Sequence, residues 1–182
     1  ANSIENIGNK PEVTSICEGR ACCGGRKLSL NNDLKSSVNL YALTNEQGFA
    51  IANQSGIYVP KNLNIHLGIW SIESMIKTSD LCDLCIIPSD LDDKRKSGAS
   101  SNRLITSLAL GLPTAADKLN SYNEFDSYFT DIRSEKFKDL ITEPTSFHNQ
   151  VLEAQEKIVP NFTQKAISQK WIRFFSHLNQ SH

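Results

Sequence analysis

The chain has 182 residues, which is enough for one domain of ordinary size, and 39% of them are hydrophobic, as in a globular core. Its 19 basic and 20 acidic residues nearly cancel, so the overall charge does not favour nucleic acid as a partner. No segment has the apolar length of a transmembrane helix, so we expect no membrane span.

The N-terminal residues and the cysteines indicate where the protein works. Residues 1–12 are polar and lack the basic and apolar regions of a signal peptide, so we expect a flexible lead-in to one domain over residues 13–182. Because the first residue is not methionine, we expect a processed chain or a piece of a longer one. Five cysteines, two of them adjacent, make a poor disulfide framework and favour a cytoplasmic location.

The cysteines also raise the question of a metal site. Cys82 and Cys85 have the spacing of half a zinc knuckle, and Cys17, Cys22 and Cys23 could supply the other half. Cys85 lies inside an apolar run, however, where a free cysteine behaves as a small apolar residue. We therefore favour a core cysteine and predict no metal.

The first half of the chain alternates between strand and helix patterns. Apolar and β-branched residues predict strands at 13–17, 38–44, 63–70 and 84–88, and helices at 46–54 and 72–81. Ser71 is the predicted cap of the second helix. Ile72, Met75 and Ile76 recur at helical spacing, which predicts that they pack against a sheet.

The second half begins with a helix at 102–110, for which Gly111 is the predicted C-cap and Pro113 a stop. A short strand at 114–116 follows. Strand, loop, helix and strand make a βαβ unit, so we expect an α/β fold with a Rossmann-like parallel sheet flanked by helices. Further helices are predicted at 122–128, capped by Asn120 and Ser121, and at 146–158. The last, at 162–178, carries an aromatic stripe that we interpret as core.

The loop at 89–100 and the start of the following helix have the chemistry of a phosphate site. In a parallel sheet, ligands bind beyond the carboxyl ends of the strands, where this loop lies. A helix N-terminus there offers free N–H groups and partial positive charge. The segment adds cations and hydroxyls, among them Lys96, Ser101, Asn102 and Arg103. A solvated surface loop with an ordinary Ser or Asn cap is an equally good interpretation.

A second basic loop, around Gly24-Gly25-Arg26-Lys27, could also contact a phosphate, because glycines let backbone amides approach a ligand. It matches neither a Walker A nor a dinucleotide fingerprint. We favour the simpler interpretation, a flexible basic turn.

Four segments together resemble the C-terminal domain of GT-B-fold glycosyltransferases, most specifically over residues 63–129. They are DLCIIP at 83–88, Lys96 with Ser101-Asn102-Arg103-Leu104, Leu110-Gly111-Leu112-Pro113, and Ser121-Tyr122-x-Glu124-Phe125. The resemblance implies one half of a GT-B fold, a domain that binds a nucleotide-diphosphate sugar as donor for glycosyl transfer. It implies no cofactor, and an N-terminal acceptor-binding domain or partner chain for activity.

The resemblance also implies roles for particular residues. Lys96, Ser101, Asn102 and Arg103 would hold the diphosphate. Ser121, Tyr122 and Glu124 would bond to the sugar or phosphate, and Trp70 would lie beside the base. Many retaining members carry two glutamates seven residues apart near this helix, and this chain has residues 97–103 instead, so the catalytic residues stay unassigned.

Other interpretations of the same residues remain open. Trp70 could be a packed rim tryptophan, which we favour slightly, and His66 without a placed partner is a weak candidate for a base. The whole chain could be a non-catalytic α/β interaction module that keeps the fold without donor chemistry. A small nucleotide-binding hydrolase is disfavoured because the sequence has no P-loop, nucleophile elbow or carboxylate cluster.

Overall fold

The structure is a computed structural model that describes residues 13–18, 38–54, 61–92 and 98–180. This part of the chain holds six strands and six α-helices. The strands are β1 (Val13–Glu18), β2 (Val38–Thr44), β3 (Leu63–Ile69), β4 (Leu84–Ile87), β5 (Thr114–Ala116) and β6 (Thr130–Asp131). The helices are α1 (Glu46–Gln54), α2 (Ile72–Ser79), α3 (Asn102–Ala109), α4 (Lys136–Thr142), α5 (His148–Lys157) and α6 (Gln164–Gln180).

All six strands join one parallel sheet in the order β3-β2-β1-β4-β5-β6. The predicted α/β fold with a parallel sheet flanked by helices is therefore confirmed, and the strand order is compatible with a Rossmann-like sheet. The chain moves outward from β1 to β3 and then returns to place β4 on the other side of β1. The order reverses between β1 and β4, and their carboxyl ends form the topological switch point where such sheets bind ligands.

Strand β4 is buried along its whole length because helices cover both faces of the sheet. Cys85 and Ile87 face one cluster, which includes Leu104 and Leu108 of α3. Leu84 and Ile86 face the other and contact Ile141 of α4. Alternate side chains of a strand point to opposite faces, so an unbroken apolar run is what a strand covered on both sides requires. The prediction that Cys85 is a core residue is confirmed, since it is 1% exposed.

Local capping signals set the helix ends that the sequence predicted. The Asn45 side chain accepts a hydrogen bond from the Gly48 N–H at the start of α1. Ser71 and Ser74 form a reciprocal capping box at the start of α2. At the end of α3, Gly111 has φ +82°. Its N–H bonds to the Leu108 carbonyl and the next N–H bonds to the Ser107 carbonyl, which is a Schellman motif.

Two packing predictions and one secondary-structure prediction are wrong. Met75 is buried, but Ile72 is 63% and Ile76 46% exposed, so α2 does not lay all three side chains on the sheet. The stripe on α6 is exposed rather than core, and Trp171 is 56% accessible. The segment predicted as a helix at 122–128 is instead a 3₁₀ helix, Asn120–Phe125, with no side-chain cap.

The chain also contains two elements that we did not predict. Strand β6 has two residues, too few for a periodic pattern, and α4 lies in a segment of mixed composition. Strand β6 extends the sheet beyond β5, and α4 extends the helical layer that covers it. The carboxyl end of β6 lies beside that of β5.

Candidate functional site

The Asp117 carboxylate joins the carboxyl ends of three adjacent strands. Asp117 follows β5 directly, and its Oδ2 accepts a hydrogen bond of 2.7 Å from the Ser89 N–H just beyond β4. Its Oδ1 accepts one of 3.0 Å from the Arg133 Nε just beyond β6. The carboxylate is only 10% exposed, whereas the Arg133 side chain is 50% exposed. The ends of β4, β5 and β6 are thus held in register at the edge where parallel sheets bind ligands.

Four hydroxyl oxygens near strand ends are buried without a hydrogen-bond partner in the described part of the chain: Thr44 Oγ1, Ser89 Oγ, Ser121 Oγ and Tyr122 Oη. Thr44 ends β2, Ser89 lies just beyond β4, and the other two lie in the 3₁₀ helix after β5. All four residues therefore lie at or beyond the carboxyl ends of strands. A buried hydroxyl without a partner costs about 1–3 kcal/mol, so each needs an explanation, such as a bound ligand or water.

Arg103 and Tyr122 come together from two different elements. Arg103 lies in the first turn of α3 and is half-buried, and Tyr122 lies beyond β5 with a fully buried ring that packs edge-on against Phe129. Burial raises the pKa of Tyr122, and the positive charge of Arg103 beside the hydroxyl opposes that shift without cancelling it. The contact falls short of a well-aligned hydrogen bond, since Tyr122 Oη has no partner of that geometry. The site therefore pairs a cation with a neutral phenol.

The N-terminus of α3 lacks the side-chain cap that the alternative interpretation requires. Ser101 is the residue before the helix, but its side chain makes no cap hydrogen bond. Ser101 is half-buried and Asn102 is exposed. The first N–H groups of α3 thus have no side-chain acceptor at the Ser101 position, beside Arg103.

Two predicted phosphate contacts lie outside the described residues. Lys96 falls in 93–97, and the Gly24-Gly25-Arg26-Lys27 loop falls in 19–37. Their part in the site stays a prediction.

Trp70 lies away from the pair of Arg103 and Tyr122, whereas Glu124 is close to Tyr122 in the chain. Trp70 follows β3, the edge strand, which is separated from β4 by β2 and β1. At a strand spacing of about 4.8 Å, this places it roughly 14 Å along the sheet from the end of β4. Trp70 is 48% exposed, and its packing at the rim stays a prediction. Glu124 is exposed in the 3₁₀ helix that holds Tyr122.

Among the described residues, the contacts of His66 are structural and include no acidic partner for a catalytic base. Its ring stacks on Tyr41 of the neighbouring strand, with centroids 4.5 Å apart. Its Nε2 lies 3.3 Å from the Asn39 Oδ1. Both contacts are cross-strand pairs that stabilise the sheet edge.

Sequence reasoning missed Ser89, Asp117 and Arg133 as members of one network. Each is a polar residue directly or shortly after a strand, and for Ser89 and Asp117 that position is the available signal. Arg133 could not be found this way, because the two residues of β6 give no strand pattern.

A shallow groove of about 190 Å³ lies at the opposite edge of the sheet. Cys82 and Asp83 before β4, Gly111 to Pro113 before β5, and His148 line it. Burial, with the nearby Asp83 charge, raises the pKa of Cys82 to about 12, which keeps the thiol protonated and unreactive at neutral pH. The groove therefore lies away from the switch point and offers no activated nucleophile.

Within the described ranges no three His, Cys, Asp or Glu side chains are grouped as metal ligands would be. Cys17, Cys22 and Cys23 cannot be judged, since their side chains lie outside what is described. None of the described helices has the length and apolar character needed to cross a membrane.

The chain matches no protein-family model, no curated protein and no solved structure. The resemblance to GT-B glycosyltransferases therefore has the motifs and the α/β fold as its only support.

Proposed function

We propose that this chain is the donor-binding domain of a glycosyltransferase, one half of a GT-B fold with a Rossmann-like sheet, and that it binds a nucleotide-diphosphate sugar. The observation that carries the proposal is the meeting of Arg103 with the unpartnered Tyr122 hydroxyl at the carboxyl edge of the sheet. A cation, a helix N-terminus and hydroxyl groups together suit a diphosphate. The proposal rests on this chemistry and on the motif resemblance.

The diphosphate would lie at the N-terminus of α3, where the guanidinium of Arg103 and the N–H groups of Asn102 and Arg103 are donors. Lys96 in the preceding loop would add a second cation. Ser121 and Tyr122, with Glu124 beyond them, would bond to the sugar or the phosphate oxygens. The unpartnered hydroxyls of Ser121 and Tyr122 would thereby gain the hydrogen bonds that they lack.

In this proposal the chain's own residues stabilise the charge that develops as the nucleoside diphosphate leaves. Arg103 and the α3 N-terminus are fixed donors in a partly buried setting, where electrostatic stabilisation is stronger than in water. Asp117 acts through position, because it holds the loop after β4 and the segment after β5 in place. The acceptor and any catalytic base would come from an N-terminal domain or a partner chain.

Thermal melting against a panel of nucleoside diphosphates and nucleotide sugars tests the proposal. A ligand at a hundred times its Kd should add about 2.7 kcal/mol to the free energy of unfolding and raise the Tm. A shift confined to one nucleotide base would identify the donor class. A chain that gives no shift with any member of the panel would contradict donor binding by this domain.

Arg103→Ala is the variant that ties binding to the site. We expect it to weaken binding of the stabilising nucleotide by about 1.5–3 kcal/mol, or roughly 10- to 150-fold in Kd, the usual value for a hydrogen bond to a charged group. Calorimetric titration measures the change, with Arg173→Ala on exposed α6 as the matched control. An unchanged Kd in Arg103→Ala would remove Arg103 from the site.

A non-catalytic interaction module remains the second candidate function. A purely structural arginine would have the same half-buried environment beside Tyr122, so this observation is compatible with both functions. The two functions differ in the melting experiment, since a module that keeps only the fold gains no stability from any nucleotide.

A further inference from the structure

The exposed face of α6 is a feature of the described residues that the proposed function does not use. Of residues 164–178, all but Ala166 are exposed, although the helix spans 17 residues and is strongly amphipathic. Of its six exposed large apolar side chains, Ile172 lies about 60° away and the other five occupy an arc of about 100° at 100° per residue. They are Ile167, Trp171, Phe174, Phe175 and Leu178. A patch of this kind on a monomer marks an interaction surface.

The aromatic residues form a cluster on the helix surface. The rings of Trp171 and Phe175 stack with centroids 5.8 Å apart, and Phe174 meets both edge-on. All three are more than half exposed. Trp and Phe rings beside water are favoured at the boundary between lipid headgroups and acyl chains.

The charges on α6 all have one sign. From Gln164 to Gln180 there is no Asp or Glu, and the helix carries Lys165, Lys170 and Arg173. Lys170 and Arg173 lie within about 60° of each other on the face next to the aromatic arc. A helix that combines an apolar aromatic face with a cationic polar face suits a membrane surface. Protein interfaces are also rich in aromatic residues and arginine, but they are depleted in lysine, of which α6 has two.

We propose that α6 lies in the headgroup region of an anionic lipid bilayer, with the aromatic arc toward the acyl chains and the basic side chains toward lipid phosphates. This inference goes beyond the proposed function and does not depend on it, because α6 contributes none of the residues at the carboxyl edge.

Vesicle binding of the full chain tests the proposal. The variant Trp70→Phe leaves Trp171 as the single tryptophan of a chain that has two. With vesicles of equal phosphatidylglycerol and phosphatidylcholine we expect a blue shift of Trp171 emission and co-sedimentation. With phosphatidylcholine alone we expect at least tenfold weaker binding. Equal binding to both vesicles, or to neither, would overturn the proposal.

Two variants locate the interaction. Replacing Trp171, Phe174 and Phe175 with Gln should weaken binding at least about a hundredfold, because each replacement removes an aromatic ring that the lipid would bury. Replacing Lys165 and Arg173 with Gln should weaken binding about fivefold for each charge and leaves the contact between the Lys170 Nζ and the Phe162 ring intact. Leu152→Gln on α5 removes a side chain of similar exposure, 51%, and should bind as before.

Two controls separate lipid binding from misfolding and from self-association. The triple Gln variant changes only exposed side chains, so its Tm should match that of the parent chain, and circular dichroism verifies that it folds. Light scattering gives the mass in solution. A dimer that the triple Gln variant converts to a monomer would assign the face to a second copy of the chain and overturn the lipid proposal.

Discussion

Asp117 and Arg133 form one ion pair, yet the fold should respond very differently to the loss of each. Asp117→Ala leaves the Ser89 N–H, which is buried at the end of β4, without its acceptor. We expect a loss of about 1–3 kcal/mol in the free energy of unfolding. Arg133→Ala removes a half-exposed partner and should cost less than about 1 kcal/mol. Urea denaturation measures both, and equal losses would show that the ion pair, not the backbone bond, matters.

Tyr122→Phe separates a ligand-binding hydroxyl from a structural one. The ring is fully buried and the hydroxyl lacks a well-aligned partner, so the free chain should keep its stability or gain up to about 1 kcal/mol. Binding of the stabilising nucleotide should weaken at least about fivefold, the value of one hydrogen bond. Chemical denaturation and calorimetric titration measure the two effects.

Tyr128→Phe, in a half-buried tyrosine of the following turn, is the matched control and should leave ligand affinity unchanged. A Tyr122→Phe chain that is destabilised and binds normally would mean that the hydroxyl serves the contact with Arg103 and no ligand.

At the scale of the element, the end of α3 depends on a single backbone conformation. Gly111 has φ +82°, and a Cβ there would come no closer than 3.6 Å to the Gln155 side chain. Gly111→Ala should therefore cost about 1–2 kcal/mol through backbone strain alone. Gly98→Ala has open space and no positive φ, and should be neutral or slightly stabilising. Thermal melting compares the two, and equal Tm values would contradict the strain argument.

A second interaction holds the same helix end from outside. The Gln155 amide on α5 donates hydrogen bonds of 3.1 and 3.2 Å to the Leu108 and Ala109 carbonyls in the last turn of α3. The Leu108 carbonyl thus accepts from Gln155 as well as from the Gly111 N–H. The glycine of this cap could be predicted from the sequence, because it follows a local rule. The glutamine could not, because it reaches α3 from more than forty residues further along the chain.

The other elements show the same difference between local signals, which the sequence reveals, and long-range contacts, which it does not. Helix α2 begins at the residue that the cap Ser71 predicts, since capping is decided within four residues. Strand β6 could not be predicted, because its two residues are too few to show the alternation of a strand. The pattern of α6 shows which side chains share a face, but a pattern within one helix cannot say whether another element covers that face.

For the whole molecule, local patterns predict parallel strands joined by helices, and the sheet confirms this. The order of those strands is a long-range property that the patterns leave open. The candidate site depends on that order, because only a neighbouring pair of β4 and β5 lets Arg103 of α3 meet Tyr122 beyond β5. The order also separates Trp70 from this pair, which motif matching alone could not reveal.

The most direct test of the donor-site account is to map where a nucleotide binds. Amide chemical shifts of the ¹⁵N-labelled chain would be recorded during titration with the nucleoside diphosphate that stabilises it best. We predict changes at the carboxyl edge, at Ser89, Asn102 and Ser121, with little change at Gly111 and His148 in the opposite groove. Changes confined to the groove, or none at saturating nucleotide, would contradict the account.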